Sequence, residues 1–283
     1  MFNEKELNWF VQTALERHRI YKKKETGAPK PWTSDEVFQQ FFFCNLFRQY
    51  DKCTKWIVDN VLPYKRWDLT ILYRFISTYE LFEGIKETVD MSNLKEVEKY
   101  LCETRKLGTM FSGCFLRNPR IKGGWVETYQ APFVVIEQIR KVENLLKNFL
   151  ETGTLQEMVG FLKQFPGIGG FMGYEYACDF AYTEMFNPSD TMTWANMGPG
   201  AQRGMSLLLY GSSEVKMKEN VWLSYARELF VILKQRVESE FPEEDVSMRE
   251  VEHWLCEYAK YRKYMGVLEH GYRVKYRHYG GLE

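Results

Sequence analysis

Helical spacing of apolar residues, punctuated by capping signals, is what most limits the folds open to this 283-residue chain. Apolar side chains recur three and four residues apart through Val37–Ile57, Leu69–Phe82, Phe133–Phe149, Met205–Tyr210 and Val221–Val237, the pattern that gathers them on one stripe of an α-helix. "TSDE" at Thr33–Glu36, "TLQE" at Thr154–Glu157 and "SMRE" at Ser247–Glu250 each fit the capping box, in which a hydroxyl and a carboxylate satisfy the first free N–H groups of a helix. A mainly α chain follows. The exception is Gly108–Gln130, rich in glycine and β-forming residues, which reads as an irregular loop or short hairpin on the helical body. No repeat, low-complexity stretch or linker divides the sequence, so a single domain over 1–283 is expected. With 45% hydrophobic and 27% charged residues it has the material for a substantial core.

Several function classes drop out on composition. No apolar run approaches the ~20 residues of a membrane span, and the opening "MFNEKELNWF" lacks the basic and apolar stretches of a signal peptide; a cytoplasmic protein with no membrane partner is expected. The six cysteines (Cys44, Cys53, Cys102, Cys114, Cys178, Cys256) are scattered with no C-x-x-C pair, so neither a zinc site nor a compact iron–sulfur loop is written locally, and no metal or other cofactor is expected. Acidic and basic residues balance at 38 each, so any nucleic-acid contact must come from local patches. Two exist: "ERHRIYKKK" (Glu16–Lys24) and the tail from Lys260 to Glu283, where Arg and Lys alternate with tyrosines. Such interleaving suits phosphate contact with base stacking; a solvated surface is the other use of it.

"FFFCNLFRQYDKCTKW" (Phe41–Trp56) carries a local conflict. At ~100° per residue, Asn45, Arg48 and Asp51 share the helix arc of Phe38, Phe41, Phe42 and Trp56, so polar groups sit on the apolar face. Buried amide, guanidinium and carboxylate groups are costly unless paired. They either form an Arg48–Asp51 ion pair with Asn45 bonded to backbone, or floor a ligand pocket.

"FPGIGGFMGYEYACDF" (Phe165–Phe180) packs a proline and three glycines into six residues ahead of an aromatic-rich helix. Glycines admit close backbone approach, and a helix N-terminus offers free N–H groups to a phosphate. The form helix, "PGIG", helix, over about 154–186, resembles the helix–hairpin–helix of the DNA glycosylase superfamily. That resemblance implies a helical glycosylase-like fold in which Gly167, Ile168, Gly169 and Gly170 meet a DNA backbone. In such glycosylases a catalytic aspartate follows the hairpin by a little over twenty residues, near Asp190 here. The lysine of bifunctional members would fall where this chain has Gly170 and Phe171, so lyase chemistry is not expected, and the carboxyl-terminal cysteine cluster of the iron–sulfur members is missing.

"FFFCNLFRQYDKCTKWI", "FPGIGGFMGYEYACDFAYT" and "WANMGPGAQRGM", in this order, resemble something narrower. They look like the glycosylase-related helical family of phage thymine hypermodification: the helical domain attached to 5-hydroxymethyluracil DNA kinases, and the α-glutamyl/putrescinyl thymine pyrophosphorylases, or amino acid:DNA transferases. The resemblance spans about Val37–Met205 and carries over Asn45–Arg48–Asp51, the hairpin, Asp179 and Gly198–Gly204. No G-x-x-x-x-G-K-[ST] phosphate loop occurs in the sequence, so a stand-alone member without the kinase half is expected. The family implies replacement of pyrophosphate on 5-(pyrophosphoryloxymethyl)uracil in double-stranded DNA by an amine, either an amino acid or a polyamine, downstream of a separate 5-hydroxymethyluracil DNA kinase. That chemistry needs an extruded base, donors on the departing pyrophosphate, a carboxylate for the amine and a dry pocket. Arg48 and Arg203, with the amides of "GPGAQRG" at Gly198 and Gly200, are candidates for the pyrophosphate. Asp51, Asp179 or Asp190 are candidates to serve the amine, with a capping or salt-bridge role the other reading of Asp179, and Asn45 is a candidate to read the uracil edge. Tyr174 and Trp194 are candidates to stack on the base, or else core residues. Two other classes stay open: a monofunctional glycosylase using Asp190, and a non-catalytic DNA-binding partner of the kinase.

Overall fold

The computed structural model describes residues 1–108, 110–111, 120–121, 124–213, 215 and 218–269. In chain order its helices are α1 (Glu4–Glu25), α2 (Glu36–Gln40), α3 (Lys52–Asn60), α4 (Trp67–Ile76), α5 (Tyr79–Thr88), α6 (Leu94–Thr104) and α7 (Ala131–Arg140). There follow α8 (Glu143–Thr152), α9 (Leu155–Leu162), α10 (Gly170–Phe180), α11 (Pro199–Tyr210), α12 (Glu219–Glu240) and α13 (Met248–Glu269). Two-residue strands β1 (Arg120–Ile121) and β2 (Gly124–Trp125) pair antiparallel inside the Gly108–Gln130 insert. Most of that insert's tip, and the tail beyond residue 269, lie outside the described residues. No helix among the described residues is long and apolar enough to cross a membrane.

The chain folds into two compact units. One takes Met1–Asp51 and resumes at Thr191; the other is Lys52–Asp190. In the first, α1 is capped by Asn3, whose Oδ1 accepts from Glu6 N at 3.1 Å, with acids in its first turn and Lys22–Lys24 in its last, complementing the helix dipole. Its apolar face (Phe10, Ala14, Leu15) is buried. The fully buried Trp254 of α13 donates its indole N–H to Phe10 O at 3.1 Å. α11 crosses α13 closely because Gly204 presents no side chain to it: a Cβ there would fall on the Leu255 carbonyl. In the second unit α4 is buried along its whole length, from Trp67 to Ile76, and packs against α7 and α10.

Three helices predicted as continuous are broken. The stretch 69–82 becomes α4 and α5 because Ser77 takes a left-handed conformation (φ 36°) and its amide closes on Tyr73 O. The stretch 133–149 becomes α7 and α8 across a turn at 141–142. The third break matters most. Only Glu36–Gln40 of the predicted 37–57 helix forms before the chain extends at Phe41 (φ −124°, ψ 146°). The amides that a helix would use internally are taken elsewhere: Cys44 N donates to Glu257 Oε2 (3.0 Å) and Asn45 N to Asp51 Oδ1 (2.7 Å). The expected box at Thr33–Glu36 is displaced too. Asp35 is the N-cap, accepting from Val37 N and Phe38 N, while Thr33 Oγ1 accepts from Asp35 N. The box at Thr154 is reciprocal, and the one at Ser247 has its carboxylate half: Glu157 and Glu250 accept from the Thr154 and Ser247 amides. The Thr154 hydroxyl accepts from Glu157 N, and the Ser247 hydroxyl from Arg249 N.

Candidate functional site

In the first unit, Asn45, Arg48 and Asp51 do gather, but as a folded loop rather than a helix face. A 3-10 turn over Arg48–Tyr50 swings Asp51 back under Asn45, so the carboxylate accepts from Asn45 N (2.7 Å) and from Arg48 Nη1 (2.9 Å). Asn45 Nδ2 donates to Tyr50 O at 2.8 Å. The ion pair and the backbone-bonded amide foreseen for these residues therefore both form. Asn45 is buried, and its Oδ1 has no hydrogen-bond partner among the described residues. It is left as an enclosed acceptor, a position that normally finds a donor.

α13 supplies the other wall of this cluster. His253 Nε2 lies 3.2 Å from Asn45 O, a contact that requires the proton on Nε2, since a carbonyl only accepts. Glu257 accepts from Cys44 N and pairs with Lys260 Nζ at 2.6 Å; α1 contributes Arg17, whose Nε donates to Phe43 O at 3.2 Å. Burial raises the Asp51 pKa above the ordinary carboxylate range, and Arg48 opposes the shift. A carboxylate moved in that direction is better matched to accepting a proton near neutral pH. Burial lowers the Arg17 pKa, against the pull of Asp51 and Cys44. Burial also opposes the charge on Lys260, but Glu257, Cys44 and Cys256 together outweigh it and the pKa is raised. Cys44 and Cys256 are pushed up by burial, Cys256 to about 11, so both are neutral thiols rather than nucleophiles.

Gly198, Gly200 and Arg203 open the neighbouring α11. Gly198 is the N-cap, followed by Pro199 at the first helical position. Gly200 is a close-approach residue, since a Cβ there would collide with Cys256 of α13. Arg203 is exposed and makes no ion pair or hydrogen bond among the described residues. Trp194 is buried, a core position rather than an open stacking platform. Among the described residues no group of three or more His, Cys, Asp or Glu side chains is arranged to hold a metal.

The remaining sequence-derived candidates lie in the second unit. Helices α9 and α10 are joined through Gly167, which has φ +87°, a conformation open to glycine and strained for other residues. Ile168 is buried while Gly169 is exposed and caps α10; Gly170 begins it, and the first intrahelical bond runs from Gly173 N to Gly169 O. A Cβ at Gly173 would make only ordinary van der Waals contact with Ile168 and Leu162, so the helix contact does not demand glycine there. Tyr174 is buried. Asp179, fully buried, is held by Arg74 of α4 in a two-pronged pair, Nε to Oδ2 at 2.5 Å and Nη2 to Oδ1 at 2.6 Å. Thr54 Oγ1 accepts from the same guanidinium at 3.2 Å. Asp190 receives the first amides of α9, Leu155 N at 2.7 Å and Gln156 N at 3.1 Å, and so acts as a second N-terminal cap beside Thr154.

The two basic stretches are less free than their sequences imply. Within Glu16–Lys24, Arg17 and His18 are buried, Arg19 pairs with Glu240, and Lys22 with Glu243 and Glu244. Of the Lys260–Glu283 stretch, only residues to 269 are described. There Tyr261 packs with Val37 and Phe43, and Tyr264 stacks on Phe41 at 4.1 Å between centroids. These rings fill a core instead of waiting for bases. Sequence reasoning missed the place in this cluster of Arg17, His253, Glu257 and Lys260, having read Arg17 and Lys260 only as parts of the basic stretches. The spacing i, i+4, i+7 in "HWLCEYAK" places the last three on one helix face and is the signal that would have found them.

The chain belongs to the family described as "5-hmdU DNA kinase, helical domain", whose model matches residues 4–268. Among individual proteins it is similar to the 5-hmdU DNA kinase of Bacillus phage SP10, with 24% identity over 293 residues. That alignment covers 93% of this chain and 46% of the relative, so the chain spans about half the length of the kinase it matches. No solved structure matches it.

Proposed function

We propose that this protein works in phage thymine hypermodification, replacing the pyrophosphate of 5-(pyrophosphoryloxymethyl)uracil in DNA with an amine. Membership of a helical-domain family named for a 5-hmdU DNA kinase supports the pathway, and the absence of a phosphate loop from the sequence argues against phosphate transfer from a nucleotide by this chain. The observation that carries the reaction type is the Asp51 cluster: a half-buried carboxylate of raised pKa beside the enclosed acceptor Asn45 Oδ1. In the proposed step the amine nitrogen bonds to the 5-methylene carbon as the carbon–oxygen bond breaks. Pyrophosphate leaves with the electron pair, and the amine proton passes to Asp51. Asn45 Oδ1 accepts from an N–H of the uracil edge or of the amine. Arg203 and Arg48 stabilise the charge that grows on the leaving pyrophosphate. Gly167–Gly170 rest on the DNA backbone, while Asp179 and Asp190 serve as positioning residues within their own unit.

The test is mass spectrometry of nucleosides after incubation of the protein with pyrophosphorylated hydroxymethyluracil DNA and a mixture of amines. A heavier aminomethyl nucleoside retained in the strand is the expected product. Release of free base would replace this reading with the glycosylase, and binding without turnover for every amine would leave a DNA-presenting partner of the kinase.

A further inference from the structure

Around the end of α1 the chain gathers positive charge that no described carboxylate pairs with. Lys23, Lys24 and Lys30 are exposed, and none makes an ion pair among the described residues. The contrast with the same helix is direct, since Arg19 and Lys22 are matched to Glu240, Glu243 and Glu244. Trp32 organises the group. Its indole N–H is tied to Ala28 O at 2.7 Å, Lys23 Nζ donates to its carbonyl at 2.6 Å, and the ammonium groups of Lys24 and Lys30 sit 4.5 and 5.0 Å from its ring. Lys23, Pro31, Trp32, Thr33, Ser34 and Gln39 line an open recess at this point.

The helix dipole accounts for lysines in the last turn of α1. It does not account for Lys30, which the following loop brings back onto the same indole. Like charges this close oppose one another: the Lys24 pKa is lowered by desolvation and then by Arg17 and Lys30. The neighbouring Asp35 is engaged elsewhere, capping α2 and accepting from Tyr261 at 2.7 Å. What the recess offers is an ammonium, a hydroxyl on Ser34, and a half-buried aromatic surface, which together fit a sugar–phosphate strand.

We propose that Lys23, Lys24 and Lys30, arrayed about Trp32, form a DNA-backbone contact that anchors the duplex through its phosphates without reading sequence or base modification. The proposal rests on the DNA-directed function above and adds a contact to it. The experiment is fluorescence anisotropy with a labelled 20-base-pair duplex, plain and hydroxymethyluracil-containing, over a series of salt concentrations. It compares the wild-type protein with the triple variants Lys23→Gln/Lys24→Gln/Lys30→Gln and Lys23→Arg/Lys24→Arg/Lys30→Arg. Removing one lysine–phosphate interaction lowers the slope of log affinity against log salt by ~0.9. The glutamine variant should therefore show a slope smaller by ~2–3 on both duplexes, and the arginine variant should keep the wild-type slope. A glutamine variant with the wild-type slope, while the wild-type protein binds DNA, overturns this contact alone. A wild-type protein that binds neither duplex overturns it together with the DNA-directed function.

Discussion

Asp179→Asn separates a structural carboxylate from a reacting one. The wild-type pair is fully buried on both sides, with two charge-assisted bonds from Arg74 at 2.5 and 2.6 Å. Asparagine keeps the shape and one acceptor but turns an N–H₂ toward the guanidinium and removes its counter-charge. Thr54, at 3.2 Å, is a neutral acceptor and does not replace it. Removing one partner from a buried pair costs ~3–5 kcal/mol, because the other charge stays behind uncompensated. With an m-value of ~2 kcal/mol per molar urea, the unfolding midpoint falls by ~2 M, followed by circular dichroism at pH 7. The double variant Arg74→Met/Asp179→Leu removes both charges and should recover most of the loss, giving a coupling energy of several kcal/mol in a double-mutant cycle. If Asp179→Asn unfolds within ~0.3 M of wild type, a bound equivalent to ~0.6 kcal/mol, and yet loses turnover, the pair is not what holds this unit together and Asp179 belongs with the chemistry.

Asp51→Asn should behave oppositely: turnover on pyrophosphorylated DNA falls at least ~100-fold, while the missing charge-assisted bonds cost only ~1–3 kcal/mol by urea denaturation. Arg203→Lys keeps the charge but loses the planar fork, so steady-state assays should show lower turnover and weaker product inhibition by pyrophosphate, with unchanged affinity for plain DNA. Gly204→Ala drives a methyl into the Leu255 backbone of α13; overpacking costs ~1–3 kcal/mol, read as a fall of several degrees in the melting temperature, and an unchanged melting temperature would refute the close crossing. His18 is enclosed, with Nε2 3.1 Å from Glu244 Oε1, and burial pushes its pKa down to about 4. Below the unfolded value near ~6.5 the unfolded chain takes up a proton that the folded one refuses. Stability present at neutral pH is therefore lost as the pH falls from ~6.5 toward about 4, by up to ~3 kcal/mol, and His18→Gln should flatten that part of the urea-denaturation profile.

How far the fold was legible follows from how far apart the determining contacts lie. The boxes at Thr154 and Ser247 are settled by residues three apart, and the glycine–proline turn before α10 by its own backbone, so both are visible in the sequence. Whether the chain leaves the helix at Phe41 is decided by Glu257, 213 residues from the Cys44 amide it accepts. Helical periodicity in 37–57 cannot contain that information. The same distance hid the company of the candidate site. Asn45, Arg48 and Asp51 stood out as polar residues in apolar surroundings, but their walls from α1 and α13 did not. Arg74 was equally readable as an anomaly, one guanidinium in the apolar "WDLTILYRFI". It called for a buried partner, yet nothing local said that Asp179, 105 residues on, would be it.

The route of the chain through its two units has a consequence for how the molecule comes into being. Lys52–Asp190 is continuous and holds its own core, whereas the other unit needs residues from both sides of it. On a ribosome the apolar stripe of α1 therefore emerges long before α13 exists to cover it; the Trp254 indole that bonds Phe10 O comes 244 residues later. At ~5–20 residues per second that is an interval of about 10–50 s in which the stripe lacks its α13 cover. The middle of the sequence is free to fold during that wait, so the proposed DNA-contacting turn at Gly167 is completed before the Asp51 cluster, whose α13 wall is the last described part of the chain to be made.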